Sequence, residues 1–137
     1  MNFMIYNDWG FALVKQKKYK KAIKKLKKAI EINPNNGQAY NLWGLALEEL
    51  NNYKEAIKKY KKAIEINPND ADTYYNWGQV LVTQKKYEEA IKIYKKAIEI
   101  NPNHAFTYNN WGKALEAMGR EKEAKKMFKK AEQLRRK

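Results

Sequence analysis

The chain has 137 residues, 44% of them hydrophobic, with 29 Lys and Arg against 15 Asp and Glu for a formal net charge of +14. It contains no Cys, no Ser and a single His, which removes disulfides, thiolate and Ser-triad catalysis, Cys-based zinc sites and imidazole clusters. No apolar run approaches the roughly 20 residues needed to cross a bilayer, and the N-terminus lacks the apolar core and small-residue cleavage site of a signal peptide, so a cytoplasmic protein is expected.

The predicted elements fall into four units of one design. Residues 3–36 carry Tyr6 three positions before Trp9-Gly10, a turn near Lys17-Lys18, a second stripe through Ala22 and Ala29, and a stop at Asn33-Pro34. Residues 37–70 repeat it. Tyr40, Trp43, Gly44 and Leu47 share one helix face, and Asn51-Asn52 makes the turn. Tyr53, Ala56, Ile57, Tyr60, Ala63 and Ile64 then form the next stripe at steps of three and four, with Lys and Glu between them as a solvated face requires. Residues 71–104 follow with Tyr74, Trp77-Gly78, a turn near Lys85-Lys86, Ala90, Ala97 and Asn101-Pro102. Residues 105–137 complete the set with Tyr108, Trp111-Gly112, a turn at Gly119-Arg120, Ala124 and Ala131.

The four Trp-Gly pairs are each 34 residues apart, with no insertion between units. Each Pro ends a second helix, because it donates no backbone hydrogen bond and disfavours helix before it. Asn36 and Asp70 stand where the next helix wants an N-cap acceptor. Eight helices are expected, antiparallel in pairs because the turns are short. A mid-helix Gly costs about 1 kcal/mol against Ala. That cost suits a close approach of two helices, and the Ala column beginning at Ala22 is the expected counterpart.

The pattern Tyr40, Trp43, Gly44, Leu47, Tyr53, Ala56, Tyr60, Ala63, Pro68 at this period closely resembles the tetratricopeptide repeat. The resemblance covers all four units of a single array, 1–137. It departs from the pattern at Glu121, where an aromatic starts the other second helices, and in the last unit's missing Pro. The resemblance implies an all-α solenoid of helix-turn-helix repeats wound as a right-handed superhelix, with first helices lining a concave groove. It further implies a scaffold that holds another protein or peptide segment in that groove, with no enzyme activity and no cofactor.

Carried over by column, the groove residues are Met4, Asn7, Asp8 and Phe11, then Gln38, Asn41, Leu42 and Leu45. The third unit supplies Asp72, Tyr75, Asn76 and Gln79, and the fourth Phe106, Asn109, Asn110 and Lys113. Amides can pair with a peptide backbone of any sequence, while apolar groups select side chains. Asn76 and Asn110 resemble the asparagine ladder of some family members, which Asp8 and Leu42 interrupt. The family's two-carboxylate clamp for chaperone tails is absent in this register, where its columns hold Asn7, Phe11, Asp72 and Asn76.

The ends of the array differ. Ile23, Ile57 and Ile91 give way to Lys125, and Ile30, Ile64 and Ile98 to Glu132, so the last helix is expected to cap itself. Phe3, Met4 and Ile5 replace Gly37-Gln38-Ala39 at the other end, an apolar edge that could support self-association or docking.

The charge is +7 in the first unit, balanced in the second, +1 in the third and +6 in the fourth. A basic surface that binds nucleic acid or another anionic surface is therefore an alternative. Scarce Arg before residue 120, and no aromatics expected beside the Lys face, argue against it. A further alternative is an idealised array with no natural ligand, suggested by three identical copies of Lys-Lys-Ala-Ile-Glu-Ile-Asn-Pro-Asn. Glu48-Glu49 and Glu88-Glu89 are adjacent surface pairs, unlike an opposed acid–base pair. His104 reads as a residue that opens a helix.

Overall fold

In the computed structural model, which describes residues 2–136, the apolar stripes become helices at the expected places. They are α1 (Phe3–Lys15), α2 (Tyr19–Ile32), α3 (Gly37–Glu49), α4 (Tyr53–Ile66), α5 (Ala71–Thr83), α6 (Tyr87–Ile100), α7 (Ala105–Ala117) and α8 (Glu121–Arg135). Among the described residues there is no strand, and no helix is long and apolar enough to cross a membrane.

The chain divides into two compact units, Met1–Pro68 and Asn69–Lys137, each with two helix pairs. In the first unit α1 packs on α2 and α3 on α4, and α2 joins the pairs by packing on α3. The second unit repeats this with α5 on α6, α7 on α8 and α6 on α7.

Local chemistry sets the helix ends. Asn36 Oδ1 accepts the Ala39 N–H at 3.1 Å, and Asp70 Oδ1 accepts the Thr73 N–H at 3.2 Å, so both act as N-caps. Asn2 does the same for α1, accepting from the Met4 N–H at 2.9 Å. At the turns inside each pair the chain reverses through a left-handed residue, with φ of 63° at Lys17, Asn51 and Lys85 and 78° at Gly119.

The Ala columns are buried on the second helices, from Ala22 and Ala29 through Ala124 and Ala131. They are not, however, what the mid-helix glycines make room for. A Cβ on Gly10 would stand 2.6 Å from Leu26 Cδ2, on Gly44 2.5 Å from Tyr60 Cε1, and on Gly112 2.7 Å from Phe128 Cε1. At Gly78 it would overlap the Tyr94 ring. The counterpart of the Gly column is thus Leu26, Tyr60, Tyr94 and Phe128, one turn beyond the Ala column. A long helical side chain leans back over the turn N-terminal to its own Cα, which carries these side chains to the glycines.

Candidate partner-binding faces

The carried-over groove residues all lie on the first helix of each pair, so each unit presents its own face, α1 with α3 and α5 with α7. On the first face, Asn7 is buried and crosses between helices. Its Nδ2 donates to Gln38 Oε1 at 3.0 Å, and its Oδ1 accepts from Asn36 Nδ2 at 3.3 Å. Because Asn36 also caps α3, these amides bind α1 to the start of α3. Met4, Asp8, Phe11 and Gln38 are exposed, and Asn41 and Leu45 are half-buried. The Lys15 ammonium lies 4.8 Å from the Phe11 ring centre.

Leu42 departs from the groove expectation. It is 5% exposed, in a core cluster with Leu26, Ala29 and Ala39. Packing of α2 against α3 takes up this side chain, so it lines the interior of the unit and no open groove.

The second face is built around Tyr75. Its hydroxyl accepts from Gln79 Nε2 and from Asn110 Nδ2, each at 3.0 Å, the latter reaching across from α7. Its ring centre lies 5.3 Å from that of His104 and 6.3 Å from that of Phe106. Phe106 is 63% exposed, with the Arg135 guanidinium 5.8 Å from its ring. Asp72 and Lys113 are exposed, and Asn76 and Asn109 half-buried.

His104 does open α7, but its side chain does more than the sequence showed. Its Nε2 lies 2.8 Å from Asp72 Oδ1, and its Nδ1 lies 2.7 Å from the hydroxyl of buried Thr107. A carboxylate accepts only, so Nε2 donates to Asp72, and in the neutral ring Nδ1 then accepts from the Thr107 hydroxyl. The imidazole ties the start of α5 to the start of α7 and lies against the Tyr75 and Phe106 rings. The readable signal was positional, since His104 holds the column of the caps Asn36 and Asp70. Arg135 gave no such signal, because its column falls in the linkers of the other units.

Much of the amide chemistry expected to meet a peptide backbone is therefore engaged within the protein. Asn7, Gln38 and Asn110 join neighbouring first helices and Gln79 holds Tyr75 within α5, while Phe106, Phe11 and Met4 are the exposed apolar groups among the carried-over residues. Among the described residues, no three His, Asp or Glu side chains gather where they could hold a metal ion.

The Lys-rich second helices also differ from expectation, because aromatics do stand beside them. The Lys25 ammonium sits 3.7 Å from the Trp9 ring centre, and that of Lys59 3.9 Å from Trp43. Each Trp also stacks on the Tyr three residues before it, at 6.1 to 6.4 Å. Trp9 is 48% exposed, so the Trp column is not wholly taken up by packing.

Comparison with known proteins agrees with this architecture. A crystal structure of MamA superposes with a TM-score of 0.91 at 30% identity, over 98% of this chain and 79% of that one. A second MamA crystal structure gives 0.88 at 31%, over 97% and 73%. A MamA fragment from Desulfovibrio magneticus RS-1 gives 0.87 at 24%, over 98% and 76%, a likeness of fold alone. No curated protein matches. The TPR repeat description matches residues 10–51 and 44–85, and the tetratricopeptide repeat description matches 69–137. With eight helices paired at a 34-residue period and these matches over most of its length, the chain belongs to the tetratricopeptide-repeat family.

Proposed function

We propose that the protein is a cytoplasmic interaction scaffold whose first-helix faces hold a peptide or a partner protein. The observation that carries this reading is the second face, where Phe106 stands more than half exposed beside Tyr75 and His104 on a hydrogen-bonded frame. An exposed aromatic on a pre-organised support is what an interaction anchor needs, because little ordering entropy is lost when a partner covers it. Exposed Met4 and Phe11 give the first face a lesser version of the same chemistry.

The test is capture of partners by the whole chain against a Phe106→Ala/Asn109→Ala variant and a Lys92→Glu/Lys96→Glu variant on α6. We expect the same partner to be retained by the Lys variant and lost by the face variant. Partners that follow only salt and the Lys variant would favour the basic-surface alternative. No enriched partner at all would favour the idealised array. Self-association through Phe3, Met4 and Ile5 is a weaker reading, since two copies would bring together first repeats of charge +7.

A further inference from the structure

Within each unit, the first helix of the second pair is covered by the second helix of the first pair. On α3, Ala39 and Ala46 are fully buried on either side of Trp43. On α7, Thr107 and Ala114 are fully buried on either side of Trp111. The cover is α2 in one case and α6 in the other. Ile30 packs on the cluster that holds Ala39, and Ile91 on the one that holds Ala114. The ammonium groups of Lys27 and Lys95 lie 5.5 and 5.9 Å from the two Trp rings.

On α1 the same register positions are Ile5, Trp9 and Ala12, and all three are exposed, Ile5 at 54%. Among the described residues no helix precedes α1 to cover them. Beside them lies a groove of about 350 Å³ formed by Trp9, Leu13, Lys18, Lys21, Lys24 and Lys25. This is a helix-receiving stripe with a basic rim. We propose that it docks an acidic amphipathic helix of another protein.

The covering helices supply the pattern. Ile23 and Ile30 flank Lys27 at a spacing of seven, as Ile91 and Ile98 flank Lys95. A helix on α1 meets the same spacing, with Lys25 over Trp9 as Lys59 lies over Trp43; what differs is the charge around it, +7 in the first repeat against zero in the second. An acidic residue between the two apolar positions is what this field favours, because it pairs with Lys25 and the Lys18, Lys21 and Lys24 of the groove. The first repeat holds nine Lys against only Asp8 and Glu31, so further acidic residues on the helix flanks gain from the same field. A second copy of this chain fits poorly, because its α2 and α8 are themselves Lys-rich. Nucleic acid would use the lysines but leave Ile5 and Ala12 unused.

The probe is a labelled synthetic peptide of about 16 residues, with Ile-x-x-x-Glu-x-x-Ile on one face and Ala, Gln and Glu elsewhere. It is titrated into the whole chain at about 0.15 M salt, beside a scramble of equal composition that breaks the stripe. Expected is binding at least about tenfold tighter than the scramble, a similar loss with Ile5→Asn, and a similar loss with Lys24→Glu/Lys25→Glu. A peptide with Lys for Glu should regain binding to that charge-reversed protein. Because Ile5 is exposed, Ile5→Asn should keep the parent's melting midpoint. Phe106→Ala should change nothing, which separates this site from the first-helix faces. Equal binding of the scramble would overturn the proposal. So would displacement by a short DNA duplex with no effect of Ile5→Asn, or a concentration-dependent dimer that Ile5→Asn dissolves without any peptide binding.

Discussion

At Glu48 the packing of α3 on α4 works against an ionised group. Burial raises this carboxyl above the ordinary carboxylate range, the Tyr60 hydroxyl lowers it by donating to Oε1 at 2.8 Å, and the charge of Glu49 adds a further upward push. Burial, followed by Glu48 itself, likewise pushes the Tyr60 hydroxyl well above its usual range. A carboxyl whose folded pKa lies above its unfolded one contributes stability below the unfolded value, and loses it as pH rises through the folded one. Glu48→Gln keeps an acceptor for Tyr60 and removes the charge. We expect its melting midpoint to exceed the parent's at pH 7 and the difference to vanish near pH 4, measured by thermal melts across that range. A variant less stable at pH 7 would show that the charged hydrogen bond outweighs desolvation. No sequence pattern marked this pair, since Glu48 reads as one of two adjacent surface acids. The columns of the repeat assign one role to four residues, and neighbours then divide them. Leu42 goes to the core because Leu26 and Ala29 reach it, while Asn110 in the fourth repeat reaches Tyr75.

At the scale of elements, sequence and structure agree where punctuation is chemical. Pro34, Pro68 and Pro102, the caps Asn36 and Asp70, and the Trp-Gly period located every helix and turn. The backbone sign of the turns was hidden, because Lys17, Asn51 and Lys85 occupy a left-handed conformation that glycine adopts most easily. At Lys85 the turn closes with the Lys86 N–H on the Leu81 carbonyl at 2.8 Å and the Lys85 N–H on that of Val82 at 2.9 Å. Lys85→Gly should therefore relieve strain and raise stability by about 0.5–1 kcal/mol. Gly119→Ala should lower it by about 1 kcal/mol, since no neighbour lies within 4 Å of the added Cβ and the cost is conformational alone. Urea denaturation of both variants checks the pair. If Lys85→Gly proved destabilising, the Lys side chain would be holding the turn by contacts that outweigh its backbone strain.

Across the whole molecule, charge is the property that sequence gave in full and structure leaves nearly uncompensated. Net charge is +14, with the first and fourth repeats carrying almost all of it. Several ion pairs are exposed and within one helix, as Lys58–Glu55 at 3.3 Å and Lys62–Glu65 at 3.5 Å. Exposed pairs of this kind contribute little, typically about 0–1 kcal/mol. Repulsion among lysines acts over a longer range, and at Lys59 it meets both burial and the attraction of a carboxylate. Burial lowers its pKa most, Glu55 pulls it back up, and Lys27 and Lys58 each lower it further. Salt screens both attraction and repulsion between exposed charges, so the larger sum decides the response. With repulsion dominant, raising NaCl from about 0.02 to 0.3 M should raise the melting midpoint of the parent chain. Lys20→Glu/Lys24→Glu lowers the charge of the first repeat, so it should shrink that rise while lifting the midpoint at low salt. A midpoint that fell with salt would mean that the ion pairs along the second helices, and not the lysine excess, govern the stability of the folded chain.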